Sequence, residues 1–317
     1  KVRFAAVNQK SKLTQYFSTS QISLIDRDVT NQKFIELLVP SIKDCVEGIQ
    51  REGRVVPAIS VGSPGPLDPF KGIIEDTPNL RGVKNLAIVD ELRNIFNLPV
   101  FLLNDADAAG LGESWAGSGK GCANVFYITL STGVGSASIV DGKLQRGLGK
   151  APESGHTDLC VENDQRRCAC GGRNHAEAYL GTRGLAETYA KVFGIDASKL
   201  SSEDQHSVSP TMRKGVLDGD AGWLRVQGTY ARHTALFLRN VILNFQPQVI
   251  VLGGGIAFGN KPLLTEIQKH LADLMDPNKD KMAVMAQGVR VALASSGYNV
   301  NLGAAKYAFD QLVGRSS

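Results

Sequence analysis

The chain has 317 residues, of which 43% are apolar and 21% charged, and its formal net charge is +4. This length suggests two domains of ordinary size, and the composition is typical of a globular protein with a sizeable core. The small charge and the scattered basic residues argue against a nucleic-acid partner. No apolar run approaches the roughly 20 residues that a membrane-spanning helix needs, and no signal peptide is visible, so we expect no membrane association.

Apolar periodicity in the first third of the chain predicts strands and helices in alternation. The chain opens on an expected β-hairpin, with strands over 1–8 and about 12–19. The further elements predicted are a helix over 31–52, a strand over 55–61, a helix over 86–97, a strand over 100–103 and a helix over 106–115. This alternation indicates an α/β architecture with a parallel or mixed sheet.

The rest of the chain continues the same pattern. A strand over 125–130 is followed by a hairpin of 136–140 and 143–146, whose Asp141-Gly142 turn is a strong hairpin signal. Beyond it we expect helices over 184–194, 221–245 and 262–275, strands over 249–252 and 289–293, and a final helix over 303–312. Serine and charge enrichment around 198–208 predicts an exposed loop.

Asp105 stands where a predicted strand ends and a helix begins. Catalytic groups of open α/β sheets gather outside the carboxyl ends of strands, and a carboxylate there could take a proton from a substrate hydroxyl. Aspartate is equally favoured as a helix N-cap, so the position alone leaves both roles open.

Two glycine-rich turns, 131–135 and 253–255, follow predicted strands of the second half. Their glycines let backbone N–H groups turn toward an anion, and together the turns suggest a cradle for nucleotide phosphates. Neither matches the P-loop pattern or the dinucleotide fingerprint, and such turns are common. In the first half, the loops at 62–66 and 77–80 could present backbone groups and the Asn79 amide to sugar hydroxyls, although ordinary proline–glycine turns look the same.

A cluster of soft or borderline metal ligands occupies one short stretch. Its members are His156, Cys168, Cys170 and His175. Zinc favours tetrahedral sites of thiolate and imidazole, and closed sites of this kind are usually structural. We therefore expect a zinc ion that holds a loop rigid and places the flanking carboxylates, Glu153 and Glu177. Two ordinary thiols or a strained disulfide are the alternatives for the Cys-x-Cys pair.

The other three cysteines, Cys45, Cys122 and Cys160, have apolar neighbours in the sequence and are expected to be buried thiols. Five cysteines in a chain of this length do not form a disulfide framework. We therefore expect a protein of the reducing cytoplasm.

The segments singled out above form one ordered pattern. They are Gly62-Ser63-Pro64-Gly65-Pro66, Pro78-Asn79-Leu80, Asn104-Asp105-Ala106-Asp107-Ala108, Ser131-Thr132-Gly133-Val134-Gly135, Glu153-Ser154-Gly155-His156, Cys168-Ala169-Cys170-Gly171 with Glu177, and Gly253-Gly254-Gly255. This pattern covers nearly the whole chain and resembles the ROK family of sugar kinases and repressors. Its most specific part is the block that runs from Glu153 through the Cys-x-Cys-Gly segment.

The resemblance implies an α/β fold of the two-lobed, actin-like (ribonuclease-H-like) ATPase type with a central cleft. The first lobe would span 1–108 plus about 304–317 and carry the sugar-binding loops and the catalytic aspartate. The second lobe would span 109–303 and carry the nucleotide site and the zinc-stabilised sugar-binding loop.

The resemblance also implies a role for each matching residue. Asp105 would be the general base that takes the proton from a sugar hydroxyl. The substrate contacts would be Gly65, Asn79, Asn104, Glu153, His156 and Glu177. The nucleotide contacts would be Thr132, Gly133 and Gly135 at the phosphates, and Gly254 and Gly255 on the adenosine side. The cofactors would be ATP, Mg²⁺ and a structural Zn²⁺, with His156 using one ring nitrogen for zinc and the other for sugar.

Two departures from the family pattern are visible. The family usually has a third cysteine where this chain has His175, an exchange that zinc accepts. The family also opens with an Asp-x-Gly-Gly-Thr-like phosphate loop, and Lys1 stands just after the place of that loop. We expect the natural chain to continue upstream with such an acidic, glycine-rich turn.

The function predicted is ATP-dependent phosphorylation of a hexose hydroxyl, with glucose as the leading substrate. Kinases of the same family that act on fructose, mannose or N-acetylated hexosamines are the nearest alternatives. A sugar-responsive repressor or a non-catalytic sugar-binding module is the alternative from a different class. The expected partner is a small-molecule sugar, and we also expect a homo-oligomer, a dimer.

Overall fold

The computed structural model describes residues 2–10, 13–20, 29–77 and 80–314, so that Asn79 lies outside the described residues. The chain divides into two compact units. The first comprises Lys1–Gly121, Leu144–Ala151 and Ser296–Ser317, and the second comprises Cys122–Lys143 and Pro152–Ser295. The domain boundary expected at residue 108 falls inside a helix that the first unit keeps whole.

Strands and helices alternate along most of the chain. In chain order the described elements are β1 (Val2–Val7), β2 (Leu13–Ser20), α1 (Asn31–Arg51), β3 (Ile59–Ser63), β4 (Leu67–Asp68), β5 (Ile73–Ile74), α2 (Ile88–Phe96), β6 (Val100–Asn104), α3 (Asp105–Ala116), β7 (Val125–Leu130), β8 (Val134–Val140), β9 (Lys143–Gln145), α4 (Ala176–Leu180), α5 (Thr182–Phe193), α6 (Ser202–Leu217), α7 (Ala221–Phe245), β10 (Val249–Gly253), α8 (Gly254–Ala257), α9 (Lys261–Leu274), β11 (Arg290–Leu293) and α10 (Asn299–Val313).

In the first unit, the element that matters most for function is the parallel pair β3 and β6. The two strands run in register from Ile59 opposite Val100 to Ser63 opposite Asn104. The strand expected over 55–61 begins later, at Ile59, because Pro57 has no N–H to donate and Val55 is 84% exposed. Helix α3 follows β6 without a loop, which fixes the first residues of the helix at the strand's carboxyl end.

In the second unit, four strands are hydrogen-bonded neighbours in a mixed sheet, in the order β11-β10-β7-β8. Strand β10 is parallel to both β7 and β11, whereas β8 returns antiparallel to β7. The side chains of β7 and β10 are almost all buried, as expected for strands that are covered on both faces. Helix α7 supplies much of the core, and Tyr230 at its centre is fully buried with its hydroxyl donating to Leu180 O at 2.7 Å.

Two sequence predictions were wrong. The segment 198–208, expected as an exposed loop, instead enters helix α6, whose capping box pairs Ser201 with Asp204. Serine and aspartate are favoured at helix starts, and the apolar Val208 and Met212 then reach the core. The cysteines expected to be buried are only half-buried at Cys45 and Cys122 and exposed at Cys160.

All five cysteines are free thiols. Within the described residues, no helix combines the length and the apolar character that a membrane crossing requires.

Helix α10 packs against α3 so closely that only glycine fits at the contact. A Cβ added at Gly303 would lie 1.6 Å from the backbone oxygen of Ala108, so the backbones touch with no side chain between them. This contact fixes the helix that begins with Asp105. We expect Gly303→Ala to lower the free energy of unfolding by about 1–3 kcal/mol, as overpacking does, in denaturant titrations.

Gly228→Ala is the matched control, because Gly228 lies inside helix α7 with nothing within 4 Å of an added Cβ. Its unfolding free energy should rise by about 0.5–1 kcal/mol, since alanine is the better helix former. Equal stability of the two variants would contradict the close packing of α3 on α10.

Candidate active site and metal centre

Asp105 is the first residue of α3 and stands directly after β6. The cap of the helix is Asn104, whose Oδ1 accepts from Ala106 N at 2.9 Å. Asp105 therefore does not serve as the N-cap, the alternative that the sequence left open. Burial raises the pKa of the Asp105 carboxyl, although backbone N–H groups at the helix start partly offset the rise. A carboxyl with a raised pKa is a stronger proton acceptor once ionised.

The loop that follows β3 approaches the same strand end. A Cβ on Gly65 would lie 3.3 Å from Asn104 Nδ2, so glycine lets the loop backbone come close to this amide. Thr77 stabilises this loop, because its hydroxyl donates to Gly65 O at 2.5 Å. The first unit thus brings together three of its predicted site residues, Gly65, Asn104 and Asp105.

In the second unit, the two glycine-rich turns lie side by side. Strands β7 and β10 are parallel neighbours, with Thr129 opposite Gly253, so both strands end at the same edge of the sheet. Gly254 has φ +83°, and a Cβ there would lie 2.3 Å from Leu130 O, which makes glycine necessary. Gly255 and Thr132 are both exposed. The edge therefore offers two adjacent backbone turns that are open to a ligand.

The four predicted metal ligands lie together. One ligand atom from each of His156, Cys168, Cys170 and His175 falls within 4.8 Å of the others. Cys168 Sγ lies 3.7 Å from His156 Nδ1, and Cys170 Sγ lies 3.2 Å from His175 Nδ1. Tetrahedral zinc with ordinary Zn–S and Zn–N bonds would separate a sulfur and a nitrogen by about 3.6 Å. The residues present thus fit a zinc ion.

Burial raises the pKa of the Cys168 thiol to about 11, and the nearby Glu177 carboxylate adds to the rise. A thiol with so high a pKa stays protonated at neutral pH unless a cation replaces its proton. The Cys168 thiolate therefore forms when a metal binds.

Glu177 joins this cluster to the first glycine-rich turn. Its Oε2 accepts from Val134 N at 3.0 Å, and its Oε1 lies 3.4 Å from Cys168 Sγ, which donates to it. The backbone of the turn is held from the other side by Thr182, whose N–H donates to Ser131 O at 2.8 Å. One carboxylate therefore fixes the distance between the turn and the metal ligands.

The segment that contains Glu153 and His156 packs against the same turn. A Cβ on Gly155 would lie 2.1 Å from Val134 O, so only glycine permits this approach. Ser136 donates through Oγ to Pro152 O at 3.0 Å, which fastens the start of the segment to β8. Glu153 itself is exposed, and His156 is half-buried. The second unit thus collects Gly133, Glu153, His156 and Glu177 around one turn.

A buried polar cluster supports the loop 164–175, here called the metal loop, and was not predicted from the sequence. Arg166, whose side chain is only 4% exposed, forms an ion pair with Asp164 at 2.8 Å and lies over the ring of Tyr179. Burial, together with the guanidinium, lowers the pKa of His233 to about 4, so this histidine is neutral. A lone arginine in a loop has no spacing signature, which is why this cluster could not be predicted.

Comparisons with known proteins cover nearly the whole chain. The family model described as "ROK family" matches residues 3–308. The glucokinase of Thermotoga maritima is 30% identical over 72% of this chain and 73% of its own length. The xylose repressor of Caldicellulosiruptor bescii is 26% identical over 75% of this chain, which spans 60% of that repressor.

Solved structures show the same fold. The ROK hexokinase of Thermus thermophilus superimposes with a TM-score of 0.73 at 26% identity, covering 90% of this chain and 89% of that one. A ROK family glucokinase of Streptomyces griseus, solved with glucose and AMPPNP, gives 0.71 at 25% identity over 96% and 94% of the two chains. The fold is that of the actin-like ATPases, as expected. The match of the family model over nearly the whole chain shows that this protein belongs to the ROK family.

Proposed function

We propose that this sugar kinase of the ROK family transfers the γ-phosphoryl group of ATP to a hydroxyl of glucose. The names of its relatives support this choice, since several are glucokinases and one was solved with glucose and an ATP analogue. The observation that carries the proposal is the placement of Asp105 as a partly buried carboxyl at the carboxyl end of β6.

In this proposal, Asp105 is the general base. It takes the proton of the attacking sugar hydroxyl while the oxygen forms its bond to phosphorus. The positive end of α3 favours the ionised carboxylate before the reaction, and the raised pKa improves its basicity. Asn104 uses its amide oxygen as the helix cap, which leaves the amide nitrogen to donate to a sugar oxygen. Gly65 would supply backbone contacts to the sugar beside the Asn104 amide.

The sugar contacts of the second unit are Glu153, His156 and Glu177. Carboxylates accept two hydrogen bonds from neighbouring hydroxyls, the arrangement that a pyranose ring presents. His156 directs Nδ1 toward Cys168, so its Nε2 is the nitrogen assigned to the sugar. The alternative, in which these side chains only stabilise the loop, predicts that their removal lowers stability without raising the KM for sugar.

The ATP site is assigned to the two glycine-rich turns. Thr132, Gly133 and Gly135 would direct hydroxyl and backbone N–H groups to the phosphates, and Gly254 and Gly255 would lie on the adenosine side. The Mg²⁺ that accompanies ATP offsets negative charge on the transferred phosphoryl group. The turns themselves contribute position, because they are fixed by Glu177 and Thr182.

The metal centre is assigned to zinc with His156, Cys168, Cys170 and His175 as ligands. Bound zinc would supply charge to stabilise the two thiolates and a rigid tetrahedral link between the ligands. The chain's own contribution is Glu177, which lies beside Cys168 and holds the first glycine-rich turn (131–135, the phosphate turn) by accepting from Val134 N. The role of this zinc is therefore structural, and no step of the reaction passes through it.

A sugar-responsive regulator is the second candidate function, because the xylose repressor of Caldicellulosiruptor bescii matches 75% of this chain. A regulator has no need of a base beside the sugar hydroxyl. The partly buried carboxyl at Asp105, with its raised pKa, therefore favours the kinase.

A panel of sugars tests the substrate assignment. Coupled release of ADP from ATP and Mg²⁺ should be fastest, by kcat/KM, with glucose, and slower with fructose, mannose and N-acetylated hexosamines. A faster reaction with one of these sugars would identify that sugar, and not glucose, as the preferred substrate. Sugar binding without any ADP release would support the regulator instead.

Asp105→Asn tests the general base. The amide keeps the shape but cannot take a proton, so kcat should fall by about 10²–10⁴-fold or more while sugar affinity, measured by calorimetry, stays nearly unchanged. Asp90→Asn is the control, since Asp90 is also an acidic residue in the first turn of a helix, α2, but is exposed. An Asp105→Asn variant that retains most of its turnover would show that Asp105 is not the base.

A further inference from the structure

The loop between Asp164 and His175 carries both cysteines of the metal centre, and its base is closed on itself. Asn174 N donates to Arg166 O at 2.8 Å, and Arg166 N donates to Asn174 Oδ1 at 3.1 Å. Tyr179 strengthens the closure, because its hydroxyl donates to Asp164 O at 2.6 Å and lies 3.1 Å from Asn174 Oδ1. The two ends of the metal loop are thus held together independently of the metal ligands.

The Arg166 side chain fastens this closed base to helix α5. Its Nη1 donates to Gly184 O at 2.7 Å, and its Nη2 donates to Thr188 Oγ1 at 3.1 Å. The same guanidinium donates two hydrogen bonds to the Asp164 carboxylate, from Nε at 3.2 Å and from Nη2 at 2.8 Å. A planar, five-donor group satisfies all these acceptors at once, whereas a lysine ammonium could not.

Helix α5 also holds the phosphate turn at its first residue. Thr182 donates to Ser131 O through both its N–H, at 2.8 Å, and its hydroxyl, at 3.0 Å. The metal loop and the phosphate turn are therefore both fixed to helix α5. The turn is bound at Thr182, and the loop at Gly184 and Thr188. Glu177 then spans the gap between the turn and Cys168.

We propose that Arg166 is a positioning residue that orients the metal loop on α5 and so sets both the zinc affinity and the placement of Glu177 for the sugar. The inference rests on the proposed function and deepens it. Arg166 touches none of the four ligands in any described hydrogen bond and acts only through the loop base. Residues that orient metal ligands from outside typically change metal affinity or activity by about 10–100-fold when they are replaced.

The test compares Arg166→Lys and Arg166→Met with the unmodified full chain. Zinc affinity is measured by competition with a chromophoric chelator, and ligand geometry by the absorption spectrum of the Co²⁺-substituted protein. We expect both variants to bind zinc about 10–100-fold more weakly and to show an altered Co²⁺ spectrum. The KM for glucose should rise at limiting zinc and return toward the unmodified value when zinc is saturating, which damage to the fold alone would not do.

Arg167→Met is the matched control, because Arg167 is the exposed neighbour in the same loop and loses the same charge. It should match the unmodified protein in zinc affinity, Co²⁺ spectrum and KM. Should Arg166→Met fail to fold, Tyr179→Phe provides a milder change, since it removes only the hydroxyl that closes the loop base. It should weaken zinc binding in the same direction.

Two outcomes would overturn the inference while leaving the proposed function in place. One is a folded Arg166→Lys protein with unchanged zinc affinity and Co²⁺ spectrum. The other is a raised KM for glucose that saturating zinc does not restore. An unmodified chain that binds neither zinc nor Co²⁺ would instead remove the metal centre from the proposed function, and this inference would fall with it.

Discussion

The carboxylate of Glu177 is the interaction on which the second unit's site depends. One oxygen accepts the N–H of Val134 at the phosphate turn, and the other lies against the Cys168 thiol. Two features that are far apart in the sequence, a glycine-rich turn and a Cys/His cluster, are thereby held at one fixed separation. If Glu177 also binds the sugar, as we propose, then the sugar, the phosphate turn and the metal loop all contact one carboxylate. A displacement of any one of them would then change the position of the others.

Several further contacts hold the structure around Glu177 in place. Gly155 lets the segment that carries His156 pack on Val134 O, and Thr182 holds the turn from the opposite side. Arg166 and Tyr179 close the base of the metal loop, while Cys170 at its outer end is exposed. Side chains thus hold the base of the loop, while backbone hydrogen bonds from Cys168 N to Gly172 O and from Gly171 N to Cys168 O shape its tip.

Much of the fold follows from local sequence. Helix α7 and strand β7 were predicted with the bounds that the structure gives them, because long apolar periodicity and short β-branched runs are strong signals. Helix α6 was missed altogether, because the serine and charged residues at its start were taken for a loop, although at a helix start Ser201 and Asp204 form a capping box. The short strands β4 and β5 were also missed, since two-residue strands leave no period to detect.

The site was predictable only where residues form a pattern. The four metal ligands were identified by type and spacing, and the structure brings them together. Asp105 was ambiguous until the structure assigned the helix cap to its neighbour Asn104. Arg166 and Thr182 could not be found, because their importance comes from acceptors that lie up to 51 residues away in the chain.

The most direct test of the account is the affinity for sugar with and without metal. Isothermal calorimetry would compare glucose binding to the zinc-loaded protein, its metal content verified by elemental analysis, with binding to chelator-stripped protein whose fold is checked by circular dichroism. We expect one zinc per chain, a large loss of glucose affinity on stripping and recovery when zinc is returned. A stripped protein that keeps its fold and binds glucose as tightly as before would contradict it.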